Sequence, residues 1–389
     1  MKVLYLSCYP DQTFRNMINS GRLFSQAAQK FNKLFVNGFC LNSIDVDVVS
    51  FVAANEASSD YEYTECVGAN LIRYHYFELR GNVFNKQRQK ETYAKNFIDS
   101  WCGDNPYGCV VVDALKPATL EFLKYAKKYG IKTFAIITDF VDFLGKPNQS
   151  FAEKIKNKII KYKFYKQFEY TDVFVILTKE MLNKIDIKNC DYVVIDGICQ
   201  KPDCITQNID YNADKIIFLY SGAISNQFGL GNLVNGFLMA NIPNSELHIY
   251  GAGDYVTQLE QICKENSCVK YLGTVINEEM VKLQRKATFL VNPRPVGDEY
   301  TKYSFPSKNI EYMCSGRPLI TTKLPCLTQD YYQHIFLFED DTADGIAKSL
   351  QKYSIIPNEE LTRKGRNARE FIYEQKNNVL QTKKLIDLM

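Results

Sequence analysis

Lys308 and Glu311 stand three residues apart in the stretch NPRPVGDEYTKYSFPSKNIEYMCSGRP, residues 292–318. Ser304 and Pro306 supply helix-start chemistry, and Gly316 with Pro318 supplies a stop, so the pattern predicts a helix over 306–314. On that helix the two side chains share a face, roughly 4.5 Å apart along the axis. A cation for phosphate beside a carboxylate for sugar hydroxyls suits a nucleoside diphosphate; an ordinary surface ion pair has the same spacing. The first-turn amides and the positive end of the helix dipole make an anion site, to which Ser307 and Lys308 add donors. Arg294 and Lys302 bring a guanidinium and a second ammonium to the same segment.

Glycines and one carboxylate complete the candidates. Gly222 follows the apolar run Ile216–Tyr220, and Gly251-Ala252-Gly253 follows Glu246–Tyr250. Val256 stands where the third glycine of GxGxxG belongs, so a glycine loop that admits a nucleotide and a plain turn both stay open. An NAD-dependent oxidoreductase would rest on Gly-Ala-Gly alone, without an acidic ribose residue at a convincing spacing. Asp139 lies just past the run Thr133–Ile137, with Thr138 and Asp142 beside it, and reads either as a general base or as a helix cap. His248 alternates with Leu247 and Ile249, the pattern of a structural or outward-facing histidine in a strand.

These residues need elements to hold them. Short runs rich in Val, Ile, Phe and Tyr, at 3–6, 48–52, 109–112, 133–137, 173–177 and 192–195, read as strands buried on both faces. Phe122, Leu123, Ala126 and Tyr129 fall at helical spacing within 118–129, with Gly130 as the stop. After a linker at about 199–215, a second alternation predicts strands at 216–220, 246–250, 269–272, 288–291 and 319–322. Helices are expected at 230–240, 255–266 and 278–286, and a terminal helix over 368–389. The rhythm predicts an α/β protein of two Rossmann-like, doubly wound domains facing across a cleft. Their expected spans are 1–205 and 206–370, with 371–389 a helix returning to the first.

The composition narrows the class. The chain has 389 residues, 46% of them hydrophobic, and carries 47 Lys and Arg against 44 Asp and Glu. A net charge of +3 over this length argues against a dedicated nucleic-acid binder. The 12 cysteines are scattered without a CxxC and only three histidines accompany them, so no metal site is expected and the thiols read as reduced, small hydrophobes of a cytoplasmic protein. The apolar stretch at Met1–Tyr9 is too short for a signal-peptide core or a membrane span and reads as a first strand. Residues 151–170 interleave six lysines and two glutamates with Ile155, Ile159, Ile160, Phe164, Tyr165 and Phe168. Such a helix suits an anionic membrane surface, while an apolar stripe packed on the sheet explains the same pattern.

FPSKNIEYMCSGRPLIT, together with YSGAISNQFGLGNLVNGF and LHIYGAGDY, resembles the C-terminal domain of GT-B glycosyltransferases of family 4, especially the branch of capsule and exopolysaccharide synthesis. The likeness covers 215–389; VVVDALKP, FAIITDF and YTDVFVILTKEM match the N-terminal half only in pattern. It implies a retaining, metal-independent transferase without a cofactor. The substrate would be a nucleotide sugar, a UDP-sugar foremost, and the acceptor lipid-linked or a polysaccharide. An N-terminal acceptor domain would face a C-terminal donor domain, at the cytoplasmic side of the membrane if 151–170 docks there. By resemblance Glu311 is the second carboxylate of a Glu-x7-Glu motif and holds the ribose, and Gly222, Gly251 and Gly253 admit the nucleotide. Tyr303 stands at the first carboxylate, so Asp298 or Glu299 would contact the donor sugar instead. The family's Arg and Lys diphosphate clamp falls on Ala223 and Phe228, which shifts the cationic role to Arg294, Lys302 and Lys308. These departures leave open a partner subunit that binds without catalysing.

Overall fold

The structure is a computed structural model that describes residues 1–6, 26–53, 61–115, 118–143, 150–185, 190–202 and 215–389. The loop at Cys8–Arg15 and the domain boundary expected at 205 lie outside the described residues. Contacts divide the chain into two units, Met1–Ile198 with Asn378–Met389, and Cys199–Asn377.

In the first unit, β1 (Lys2–Leu6), α1 (Gln26–Leu41), β2 (Asp45–Ala53), β3 (Tyr61–Val67), β4 (Asn70–Leu79), α2 (Val83–Asp104), β5 (Cys109–Asp113), α3 (Thr119–Lys128), β6 (Lys132–Ile137), α4 (Phe151–Lys166), β7 (Val173–Ile176) and β8 (Asp191–Val194) follow in order. The sheet order is β3-β4-β2-β1-β5-β6-β7-β8. All pairings are parallel except the hairpin β3-β4. That hairpin is absent from the sequence reading. It turns at Gly68, whose φ is +62°, and is stapled on one face by stacked Tyr63 and Tyr74 rings, 4.5 Å apart. The central strands β1, β5, β6 and β7 are almost wholly buried, which is why they read as unbroken apolar runs.

The second unit contains β9 (Ile216–Ala223), α5 (Leu230–Ala240), β10 (Ser245–Ala252), α6 (Val256–Glu265), β11 (Val269–Tyr271), α7 (Asn277–Lys286), β12 (Phe289–Asn292), α8 (Ser307–Ser315), β13 (Leu319–Thr321), α9 (Gln329–Tyr332), β14 (Phe336–Leu337), α10 (Ala343–Ser354) and α11 (Asn358–Gln375). Its six strands are all parallel in the order β11-β10-β9-β12-β13-β14, the doubly wound arrangement. Phe218, Phe237, Phe289 and Ile346 are among the side chains of its core, beneath α5 and α10.

The C-terminal region departs from the single helix expected over 368–389. α11 ends at Gln375 within the second unit, and α12 (Asn378–Ile386) belongs to the first. No glycine or proline marks the break. α12 packs on α1, where Asn42 Nδ2 donates to Val379 O (2.9 Å) and to Thr382 Oγ1 (3.0 Å). Gly38 permits the contact, since a Cβ there would lie 2.6 Å from Asn378 O.

α4 starts with a capping box between Ser150 and Glu153. Its C-terminal end is anchored by aromatic packing, Phe164 edge-on to Phe140 and Phe168 edge-on to Phe174. The N-terminal turns are different. Residues 153–159 are exposed, and Ile155, Ile159 and Tyr162, on one face of the helix, are 46%, 52% and 64% accessible. Among the described side chains of α4, those of the Phe164–Phe168 end pack on the sheet.

Candidate functional site

The second sheet reverses its strand order between β9 and β12, and α8 starts beside the ends of these strands, the position where doubly wound sheets bind ligands. Pro306 precedes α8 without a side-chain cap, leaving Ser307 exposed at its first turn. One turn inside the helix three side chains converge on β9. Lys308 Nζ donates to Ser221 O at 2.6 Å. Tyr312, buried and four residues on, accepts from Ser221 N at 2.8 Å. Glu311 accepts from Gln284 Nε2 of α7 at 2.7 Å, and the same Nε2 lies 3.5 Å from Ser221 Oγ. Burial of the Lys308 ammonium lowers its pKa below the usual lysine range, with Glu311 opposing the shift.

The glycines have a geometric reason. A Cβ on residue 222 would lie 2.4 Å from Cε and Nζ of Lys308, so Gly222 is the gap through which the lysine reaches the strand end. Gly251, with φ +140°, abuts the Gly222 carbonyl, where a Cβ would sit 1.7 Å from oxygen. Gly253 approaches Ile224 O almost as closely, at 2.1 Å for a Cβ. Backbone thus replaces side chains where β9 and β10 end.

Arg294, just after β12, lays its guanidinium over the Tyr300 ring, 4.9 Å from the centroid. Its buried Nε has no hydrogen-bond partner among the described residues. The Arg294 charge also acts on Tyr220, whose hydroxyl donates to Ala223 O at 2.8 Å. Arg294 and Lys308 therefore both bear on the Ser221–Ala223 end. Lys302, Asp298 and Glu299 are exposed on the loop that precedes α8, where a short 3-10 turn spans Glu299–Lys302. Tyr303 closes that turn and is buried.

In the first unit, Asp139 follows β6 and is half-buried. Asp142 is engaged by α4. It pairs with Lys161 and accepts from the Tyr165 hydroxyl at 2.5 Å, and against the opposing effect of burial these donors lower its pKa. His248 faces Glu246, with Nε2 2.9 Å from Oε2, as a strand-surface pair. Sequence reasoning did not single out Ser221, Gln284 or Tyr312. Tyr312 was within reach, one helical turn after Lys308 on the same face. A polar residue at a buried position of α7 carries no local signal that distinguishes Gln284.

Residues 215–354 match the family model described as Glycosyl transferases group 1. The match lies within the second unit. No curated protein sequence matches the chain. Among solved structures, sucrose-phosphate synthase from Thermosynechococcus elongatus superposes with a TM-score of 0.66 at 14% identity, covering 100% of this chain and 98% of that one. The lipopolysaccharide outer core galactosyltransferase WaaB in its apo form gives 0.61 at 15%, with 100% and 98% covered. TarM from S. aureus, in a complex that includes UDP, gives 0.62 at 12%, with 100% and 99% covered. At these identities the likeness is one of fold, and the fold is GT-B. Together the family match and the fold support a GT-B glycosyltransferase.

Proposed function

We propose that the protein transfers a sugar from a nucleotide-sugar donor, foremost a UDP-sugar, to a lipid-linked or polysaccharide acceptor, with retention of configuration. The observation that carries this reading is the α8 start, where a lysine, a carboxylate on its own donor and glycine-lined backbone meet at the sheet's switch point. In this reading Glu311 accepts from the ribose hydroxyls, with Gln284 fixing its rotamer. The α8 amides, Ser307 and Lys308 meet the diphosphate, and Gly222, Gly251 and Gly253 let the nucleotide approach the backbone.

Ala223 and Phe228 leave two cationic positions empty, and Arg294 and Lys302 take their place. The unpartnered Nε of Arg294 supports this assignment. Tyr303, Asp298 and Glu299 stand on the side of the donor sugar. The leaving phosphate oxygen accepts the acceptor proton as the glycosidic bond forms, while Lys308 and Arg294 balance the charge that builds on the diphosphate. Asp139, half-buried after β6, is the first unit's candidate for the acceptor. A thermal-shift series with UDP-, GDP- and dTDP-sugars tests the donor assignment, because a ligand that binds only the folded state raises the melting temperature. A response to none of them would leave the non-catalytic reading.

The exposed Ile155, Ile159 and Tyr162 among lysines 154, 156, 158, 161 and 163 support attachment to an anionic membrane surface on the cytoplasmic side. Among the described residues no helix is long and apolar enough to cross a membrane. Flotation with vesicles that contain or lack anionic lipid tests the attachment.

A further inference from the structure

β9 and β12 separate where the second sheet reverses its strand order. Their pairing covers Phe218 with Phe289 and Leu219 with Leu290 and ends there, whereas on its other side β9 stays paired with β10 as far as Ala223 with Ala252. Along β9 the backbone polar groups alternate between the two neighbours. Ile216 N donates to Asn244 O and Ile224 N to Ala252 O on the β10 side, while Ile217 O accepts from Thr288 N on the β12 side. Ser221 is in phase with Ile217. Its N–H and C=O therefore face a strand that no longer pairs with β9, and Ser221 is buried, so both groups need other partners.

α8 supplies them. Tyr312 Oη accepts from Ser221 N at 2.8 Å and donates toward Ser221 O at 3.2 Å. Lys308 Nζ donates to the same carbonyl at 2.6 Å. The carbonyl thus has two donors within reach, one cationic and one neutral, and they differ in their freedom to leave. Tyr312 is wholly buried and is held through its oxygen by the Ser221 N–H. Lys308 is half-buried, beside the Gly222 gap, and has two further protons to give.

The Tyr312 hydroxyl keeps its own proton available. Burial raises the phenol pKa above its ordinary value, against the lowering effect of the Ser221 hydrogen bonds, and the proton's other acceptor is Ser221 Oγ at 3.1 Å. The neighbouring acid, Glu311, accepts from Gln284 Nε2 at 2.7 Å, and its charge favours the Lys308 ammonium. A diphosphate at the start of α8 competes with Ser221 O for that ammonium. With no second donor, the carbonyl would stay buried and unbonded, a cost that counts against binding.

We propose that Tyr312 is a positioning residue of the donor site, whose hydroxyl takes over the Ser221 carbonyl when Lys308 turns to the diphosphate of the nucleotide. The split between β9 and β12 then stays bridged by α8 in both states, by lysine and tyrosine together without the nucleotide and by tyrosine alone with it. This inference rests on the nucleotide-sugar reading of the site. It adds a role for a side chain that acts only through the backbone of β9.

The test is a double-mutant cycle of Tyr312→Phe and Lys308→Met in the full chain, read by calorimetry with UDP and by chemical denaturation without ligand. Tyr312→Phe keeps the ring and removes the hydroxyl; Lys308→Met keeps the stem and removes the ammonium. Tyr312→Phe should weaken UDP binding about fivefold where Lys308 is present, and by less than about twofold in the Lys308→Met background. A merely structural role would weaken binding equally in both. Without ligand, Lys308→Met should lower the folding equilibrium constant by less than about fivefold, because Tyr312 covers the carbonyl, and the double variant should lose more than the sum of the single changes. Should Tyr312→Phe fail to fold, the stability of Lys308→Met still decides, since a larger loss means that no second donor reaches Ser221 O. Unchanged UDP affinity in Tyr312→Phe, an equal loss in both backgrounds, or additive stabilities would overturn the proposal and leave UDP binding in place. Absence of UDP binding by the wild type would overturn the donor reading and this inference with it.

Discussion

Each sheet carries a buried polar cluster, one at strand ends in the second unit and one near strand starts in the first. In the second unit, Ser221, Gln284, Glu311 and Tyr312 form one hydrogen-bonded set at the C-terminal ends of the strands, around a lysine that reaches through Gly222. In the first unit, Lys2, Asp47, His75 and Trp101 form a set near the strand starts. A doubly wound sheet offers a ligand crevice at its C-terminal edge because helix starts and strand ends converge there. The second unit follows that rule in full. In the first, the Asp47 set lies at the opposite edge from the one that the rule names.

The largest effect that should sharpen this contrast comes from Lys308. Lys308→Ala should lower transfer by about 10²–10³-fold, the cost typical of a lost donor to developing charge. Steady-state rates on a donor that shifts the wild-type melting temperature would measure it. Gly222→Ala should act in the same direction without replacing the lysine, because the added methyl would lie 2.4 Å from its Cε and Nζ. Its melting temperature should fall little, since a flexible side chain gives way. Gly251→Ala is the counterpart: its methyl meets backbone at 1.7 Å and its φ is positive, so the loss should be in stability, about 3 kcal/mol or more by chemical denaturation.

Glu311→Gln comes next, with nucleotide affinity reduced by about 10- to 100-fold, the range for a hydrogen bond to a charged group. Arg294→Ala and Lys308→Ala should each reduce donor turnover. If both left it intact, the relocation of the cationic role would be wrong. On the first unit, Ile155→Glu combined with Ile159→Glu should abolish flotation with anionic vesicles, while the melting temperature holds, because neither side chain is packed. Unchanged flotation would remove the membrane from the account.

The smallest effect is on pH. Burial alone would raise the Asp47 carboxyl, but the His75 imidazole, Lys2 and Trp101 outweigh it and hold it at about 2. Its contribution is therefore present above the unfolded carboxylate range, near 4, and is lost as pH falls toward 2. His75 moves the other way. Burial lowers its pKa, yet Asp47 and Glu62 raise it above 6.5 on balance. Its contribution is complete below about 6.5 and is lost as pH rises through the folded value. Melting curves of wild type and His75→Gln should converge on the alkaline side; a constant gap would show that the imidazole acts by packing alone.

Much of the second unit was legible because local signals agreed there. The span 230–240 was read from periodicity and is the helix formed, and the helix expected at 306–314 is Ser307–Ser315. Pro306 and Gly316 explain why: one sits before the first turn, the other adopts φ +80° after the last. The first unit gave less. Tyr61–Leu79 alternates polar and aromatic residues around a two-residue turn, a pattern overlooked because the neighbouring strands are continuous apolar runs. The break between α11 and α12 carries no breaker residue; it is enforced by tertiary contacts of Asn378, whose Nδ2 donates to Leu34 O at 3.3 Å. The site followed the same division. Lys308 and Glu311 were readable from spacing, whereas Gln284 and Asp47 owe their roles to partners far away in the chain.

The most direct test of the central claim, that the second unit binds a nucleotide at the start of α8, is calorimetry of UDP with the wild type and with Lys308→Ala. Saturable binding to the wild type, weakened at least about tenfold by the substitution, is expected. Equal affinity of both proteins for UDP would contradict the claim.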